Sequence, residues 1–118
     1  MSRASSAAAK VNDAAPVFAA LGDETRLRLV SRLCVEGPLS ITSLSDGAPV
    51  TRQAITKHLN ALAAAGVARG TRHGRESIWE IEPARLRKAQ GYLDQISDQW
   101  DAAIGRLRAF VELSLIHI

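Results

Sequence analysis

Between positions 51 and 75 the chain places Arg52, Lys57, Arg69, Arg72 and Arg75, with His58 and His73 among them, and no Asp or Glu. The rest of the sequence holds more acidic than basic side chains, so the net charge of +3 originates in this one segment. Guanidinium and ammonium groups gathered in an acid-free stretch neutralise phosphates, and each such contact releases condensed counterions. Gln53, Thr56 and Asn60 are interleaved with them. Carboxamides suit adenine edges, and a lysine serves a guanine or a phosphate. The chemistry implied is recognition of a nucleic-acid duplex.

Those side chains need a scaffold, and the hydrophobic spacing supplies one. Over residues 51–65 Ile55, Leu59 and Leu62 recur at helical period, leaving Gln53, Thr56, Lys57 and Asn60 on the opposite face. Thr51 is the expected N-cap and Gly66 the stop. A short helix over about 40–46, anchored by Ile41 and Leu44, precedes it across the turn Gly47-Ala48-Pro49-Val50. Short helix, turn and longer polar-faced helix form a helix-turn-helix pattern. Residues 67–72 and 75–82 then alternate as strands about His73-Gly74, with Ser77, Trp79 and Ile81 towards one side. The expected DNA-contact set is Thr51, Arg52, Gln53, Thr56, Lys57 and Asn60 from the helix, with Arg69, Arg72, His73 and Arg75 from the hairpin. Arg52 suits a phosphate, and an arginine-tipped wing suits a narrow minor groove. The bland alternative is a solvated helix face and a solvated loop tip.

The flanks complete the fold class: mainly α with a β-hairpin wing, dimerising through terminal helices. Residues 1–12 are small and polar and read as a mobile arm. Residues 13–112 read as one domain and 113–118 as a tail. A first helix is expected over 13–21, capped by Asp13. A second is expected over 24–35, capped by Asp23, with Leu27, Val30, Leu33 and Cys34 on its inner stripe. Pro83 opens a long helix to about residue 112. Along it Leu86, Ala89, Leu93, Ile96, Trp100, Ala103, Leu107 and Phe110 step alternately by three and four, a heptad seam. A seam this long exceeds what a small domain needs for its own core. A homodimer through Leu86, Leu93, Ile96, Trp100, Leu107 and Phe110 is therefore expected. The tail, LSLIHI, breaks that pattern, and no function is assigned to it.

Composition narrows the function classes. A sequence pI near 9.6 fits a polyanionic partner. The charge is localised and not spread along an amphipathic stripe, which disfavours a membrane surface. No apolar run spans a bilayer and no secretory signal is evident, so a cytoplasmic location is expected. Cys34 is the single cysteine. It excludes an intrachain disulfide and reads as a small core residue, or alternatively as a redox thiol if exposed and acidic. There is no Gly-rich phosphate loop, nucleophile elbow or carboxylate–histidine cluster, so neither an enzyme nor a cofactor is expected.

From Val17 to Glu112 the chain resembles the ArsR/SmtB family of winged helix-turn-helix repressors. The resemblance rests on ALGDETRLRLV (Ala20 to Val30), GPLSITSL (Gly37 to Leu44), TRQAITKHLNALAAAGV (Thr51 to Val67) and GRESIWEIEP (Gly74 to Pro83). It implies a homodimer built through the first and last helices, bound to an imperfect inverted repeat near a promoter and usually repressing. Metalloid-sensing members carry a Cys-Val-Cys triplet where this chain has Ser40, Ile41 and Thr42. Beyond the wing the only histidine is His117. A lone cysteine cannot supply a soft-metal site, so no metal ligands are expected. The family keeps a histidine at His58, which either bridges neighbouring elements or contacts a base. Trp79 and Trp100 suit core and dimer seam, or else an effector pocket. Alternatives are a docking module whose heptad helix recruits another protein, and a ligand- or metal-responsive sensor. Neither operator nor effector is readable from the residues.

Overall fold

The computed structural model describes the backbone of residues 3–116 and the side chains of residues 11–114. In chain order the elements are α1 (Arg3–Leu21), α2 (Glu24–Glu36), β1 (Leu39–Ser40), α3 (Ile41–Ser45), α4 (Arg52–Ala64), β2 (Ala68–His73), β3 (Glu76–Ile81) and α5 (Pro83–Ile116). Three helices begin on a side-chain cap that satisfies an otherwise orphaned amide. Asp23 accepts from the Arg26 amide, Ser40 from Ser43 and Thr51 from Ala54, each at 3.1 Å.

The strands form an antiparallel sheet in the order β1-β3-β2. Leu39 pairs with Trp79 on one side of β3, and Gly70 pairs with Trp79 on the other. The indole lies so close to Gly70 that an added Cβ there would stand 2.9 Å from Trp79 Cζ2. Only a residue without a side chain lets the ring close over the strand. The core gathers Val17 of α1, Leu29 and Leu33 of α2, Leu44 of α3, Leu59 and Leu62 of α4, and Val67 and Trp79 beside the sheet. This is a mainly helical fold with a small sheet whose hairpin projects as the wing.

Several expectations need correction. The first helix begins at Arg3, so residues 3–12 are helical and Asp13 lies inside the helix without capping it. The Ala-rich composition that looks featureless by hydrophobic pattern is the best helix-forming composition there is. On α2 the buried side chains are Leu29, Val30 and Leu33, whereas Leu27 is 52% exposed and Cys34 is exposed. Leu27 and Cys34 share a stripe roughly 100° round the helix from the buried one. The two-residue β1 was not expected, because a strand that short carries no period. The last helix does not end near residue 112 but continues to Ile116. His117 and Ile118, at the end of the tail, lie outside the described residues.

Candidate nucleic-acid interface

Helix α4 is divided lengthwise by solvent. Ile55, Leu59 and Leu62 are at most 2% exposed and anchor it in the core. Arg52, Gln53, Lys57 and Asn60 are exposed, while Thr56 is half-buried and donates its hydroxyl to the Arg52 carbonyl at 3.0 Å. Thr56 thus spends its donor on the helix and offers an acceptor outward. Thr51, Arg52, Gln53, Thr56 and Lys57 come together around one open depression at the start of the helix. No acidic residue occupies the first turn. The partial positive charge of the helix N-terminus therefore adds to Arg52 and Lys57 in favouring an anion.

Arg52 also borders a shallow groove with Thr42, Ser43, Ser45 and Asp46 of the preceding helix and its cap. Thr42 and Ser43 are exposed beside Arg52 and were not among the sequence candidates. Their signal was positional, since the first helix of a helix-turn-helix crosses the backbone of its duplex.

His58 sits on the flank of α4 and faces α2. Arg26 Nε donates to its Nδ1 at 3.2 Å, and Asp23 Oδ2 lies 3.8 Å from the same nitrogen. The Arg26 amide, with lesser help from the charges of His58 and Arg26, holds the Asp23 carboxyl below its ordinary range. The bridging alternative for His58 is the one that the geometry displays.

The hairpin turns at Gly74, whose φ of +64° suits glycine. Arg72, His73 and Arg75 are all exposed at this tip, and Thr71 Oγ1 lies 3.2 Å from His73 Nε2. Arg69 differs from them. It stands opposite Glu80 at the base of the hairpin, where its guanidinium binds Glu80 and also reaches Glu82 at 3.1 Å. Its charge is already answered within the wing.

The dimer candidates separate in a similar way. Leu86 packs against the core of the chain itself, as does Ala89, which is 4% exposed. Tyr92 meets Phe18 of α1 with ring centroids 6.2 Å apart. Ile96 is half-buried, and from residue 97 to 114 every side chain is exposed. Leu93, Trp100, Leu107 and Phe110 are 51–68% exposed. Ile104 and Val111 join them, so the apolar stripe is wider than the two-position seam read from the sequence. Among the described residues no group of three or more His, Cys, Asp or Glu is assembled that could hold a metal ion. Among the described residues no helix is long and apolar enough to cross a membrane.

The comparisons with known proteins agree with this geometry. A helix-turn-helix domain family matches residues 21–71. The HTH-type transcriptional regulator Rv2034 of Mycobacterium tuberculosis is 32% identical over 85 residues, covering 72% of this chain and 76% of the relative. The solved structure of an ArsR-like transcriptional regulator from Rhodococcus sp. RHA1 is 38% identical with a TM-score of 0.69, covering 84% of this chain and 92% of that one. The chain belongs to the ArsR family of transcriptional regulators. It is thus a DNA-binding regulator with a winged helix-turn-helix domain, and its family is not one of enzymes. The fold is shared at 20% identity and a TM-score of 0.61 with the homodimeric winged helix-turn-helix DNA-binding domain of Mb0332 from Mycobacterium bovis, over 78% of this chain and 84% of that one. In this ArsR-family chain Ser40 stands in the short-helix region where the metalloid sensors have a thiolate, and there it caps α3.

Proposed function

We propose that this ArsR-family chain is a homodimeric repressor, acting in the cytoplasm on an inverted-repeat operator. The observation that carries the reading is the division of α4: a core-anchored apolar face behind an exposed, acid-free face of Gln53, Lys57 and Asn60. A helix fixed on one side and polar on the other can enter a major groove without losing its place in the fold. Gln53 and Asn60 then read base edges, Lys57 serves a guanine or a phosphate, and Arg52 with Thr51 meets the backbone. Arg72, His73 and Arg75 reach the backbone or minor groove from the wing, while Arg69 braces the wing through Glu80 and Glu82.

The dimer is supported by the apolar stripe of α5, which leaves the core while still carrying Trp100, Leu107 and Phe110 in solvent. Exposed apolar surface of this extent marks an interaction site. The homodimeric fold relative from Mycobacterium bovis points the same way. Selecting duplexes from a randomised pool tests the reading. The selected sites should be inverted repeats with half-site centres about one helical turn, ~34 Å, apart. Recovery of unrelated sequences would overturn it.

A further inference from the structure

The contact between α2 and α4 at His58 depends on the position of one proton. Arg26 Nε carries a hydrogen and can only donate, so across 3.2 Å His58 Nδ1 must offer it a lone pair. The ring in this contact is therefore neutral, with its proton on Nε2. Asp23 Oδ2 stands 3.8 Å from the same Nδ1. That is too far for a hydrogen bond, and close enough to accept one after a small turn of the ring. Protonation of Nδ1 reverses its role. It then has no lone pair for Arg26, which has become a like charge, and it has a proton to donate to Asp23. One atom thus has a different partner in each protonation state.

Among the described residues the other charged groups on α4 and the elements against it are engaged or directed elsewhere. On α2, Arg28 and Arg32 are paired with Glu24 and Glu36. On α4 itself Ala54, Ile55, Ala61 and Leu62 stand three and four positions from His58, and Arg52 and Lys57 lie on the exposed side. Helix α3 holds no charged side chain, and Asp46 at its end borders Arg52. On β2, Arg69 is taken by Glu80 and Glu82, while Arg72 and His73 stand at the exposed wing tip. On α1, Asp13 lines a depression with Lys88 and Tyr92 of α5. The His58 side chain is 23% exposed, so water can deliver the proton. Imidazole is also the side chain whose ordinary titration falls near neutral pH.

We propose that His58 is a proton-operated latch: neutral, it accepts from Arg26 and ties α4 to α2; protonated, it turns to Asp23; and duplex DNA favours the neutral, tied form. The inference rests on the DNA-binding reading above. A helix that reads base edges needs a fixed setting, and His58 stands in the chain between Lys57 and Asn60 of the reading face. Exchange of Arg26 for Asp23 moves the tie from inside the first turn of α2 to its cap, so α4 meets a different part of α2 in the two states. A duplex that prefers one state shifts the proton equilibrium, and the proton shifts duplex affinity by the same factor. The latch has a sign opposite to simple charge attraction. Phosphates favour a protonated imidazole at an exposed site such as His73, whereas the latch makes bound DNA expel the proton from His58.

Long-range proton–nitrogen NMR spectra of the histidine rings, with the Arg26 Nε–H signal, test this across the histidine titration range. In the free protein neutral His58 should be the Nε2–H tautomer, and the Arg26 signal should move with the same midpoint as the His58 ring. Asp23→Asn keeps a capping acceptor and should lower that midpoint. With a selected duplex bound, the His58 midpoint should fall by about half a pH unit, which is about threefold weaker binding by the protonated form, while the His73 midpoint rises. His58→Gln takes no proton, so its duplex affinity should lack this threefold loss on the acid side. An Nδ1–H tautomer, an Arg26 signal indifferent to the titration, a His58 midpoint that stays or rises with DNA, or the same acid-side loss in His58→Gln would each overturn the latch. The tautomer and the exchange of partners are read without DNA, so their failure counts against the latch alone. Failure to bind any duplex would overturn the proposed function and the DNA linkage with it.

Discussion

Arg26 and His58 are joined across 3.2 Å, Nε to Nδ1, and this contact ties the first turn of α2 to the middle of α4. Asp23 completes the group by capping α2 through the Arg26 amide while facing His58. The contact fixes the side of α4 that does not face solvent, so it sets where Lys57 and Asn60 point.

His58→Ala should lower stability by about 1 kcal/mol, the usual net loss of one partly buried hydrogen bond. Urea unfolding would measure it. Asp23 adds an acid-side signature. Its carboxyl is held below the ordinary 3.8, chiefly by the Arg26 amide. The folded state thus binds this proton less readily than the unfolded chain. Its contribution is present above the unfolded value and is lost as pH falls from there through the lowered folded value. Asp23→Asn keeps a capping acceptor and should flatten the fall in stability below about pH 4. An acid limb identical to that of the unaltered protein would contradict this account of the cap.

Trp100 is 65% exposed on the single chain, so Trp100→Ala should not harm the isolated fold. In the proposed dimer the indole is buried, where truncation costs ~3–5 kcal/mol. Light scattering and sedimentation should show the variant dissociating at concentrations where the unaltered chain is dimeric. An unaltered chain that is monomeric at high concentration would remove the basis for the seam.

The wing should divide by charge pairing. Arg72→Gln and Arg75→Gln should each weaken binding to all duplexes and reduce the salt dependence by about one phosphate contact per subunit. Arg69→Gln should leave the salt slope nearly unchanged, because Arg69 is engaged by Glu80 and Glu82. An equal loss of slope at Arg69 would show that those acids release it on DNA.

The elements that position the interface were legible because each has its own period and punctuation. Thr51, the Ile55/Leu59/Leu62 stripe and Gly66 outline α4, and His73-Gly74 marks the wing turn. What escaped the sequence depends on contacts that no local pattern records. Leu27 and Leu29 are equally apolar, and only the packing of α2 decides which is buried. β1 exists through its pairing with Ile78 and Trp79. The engagement of Arg69 needs the register that sets it opposite Glu80. The Ala-rich start of α1 was misread because its apolar pattern is weak, although its helix propensity is high.

The central claim is that the exposed face of α4 reads base edges. Binding titrations of Gln53→Ala and Asn60→Ala on a selected duplex and on a scrambled one, at several salt concentrations, test it most directly. Each variant should lose ~1–3 kcal/mol of discrimination at one base position per half-site while keeping its affinity for the scrambled duplex. If both variants retain full preference for the selected site, the protein reads its DNA with another surface and the account of α4 is wrong.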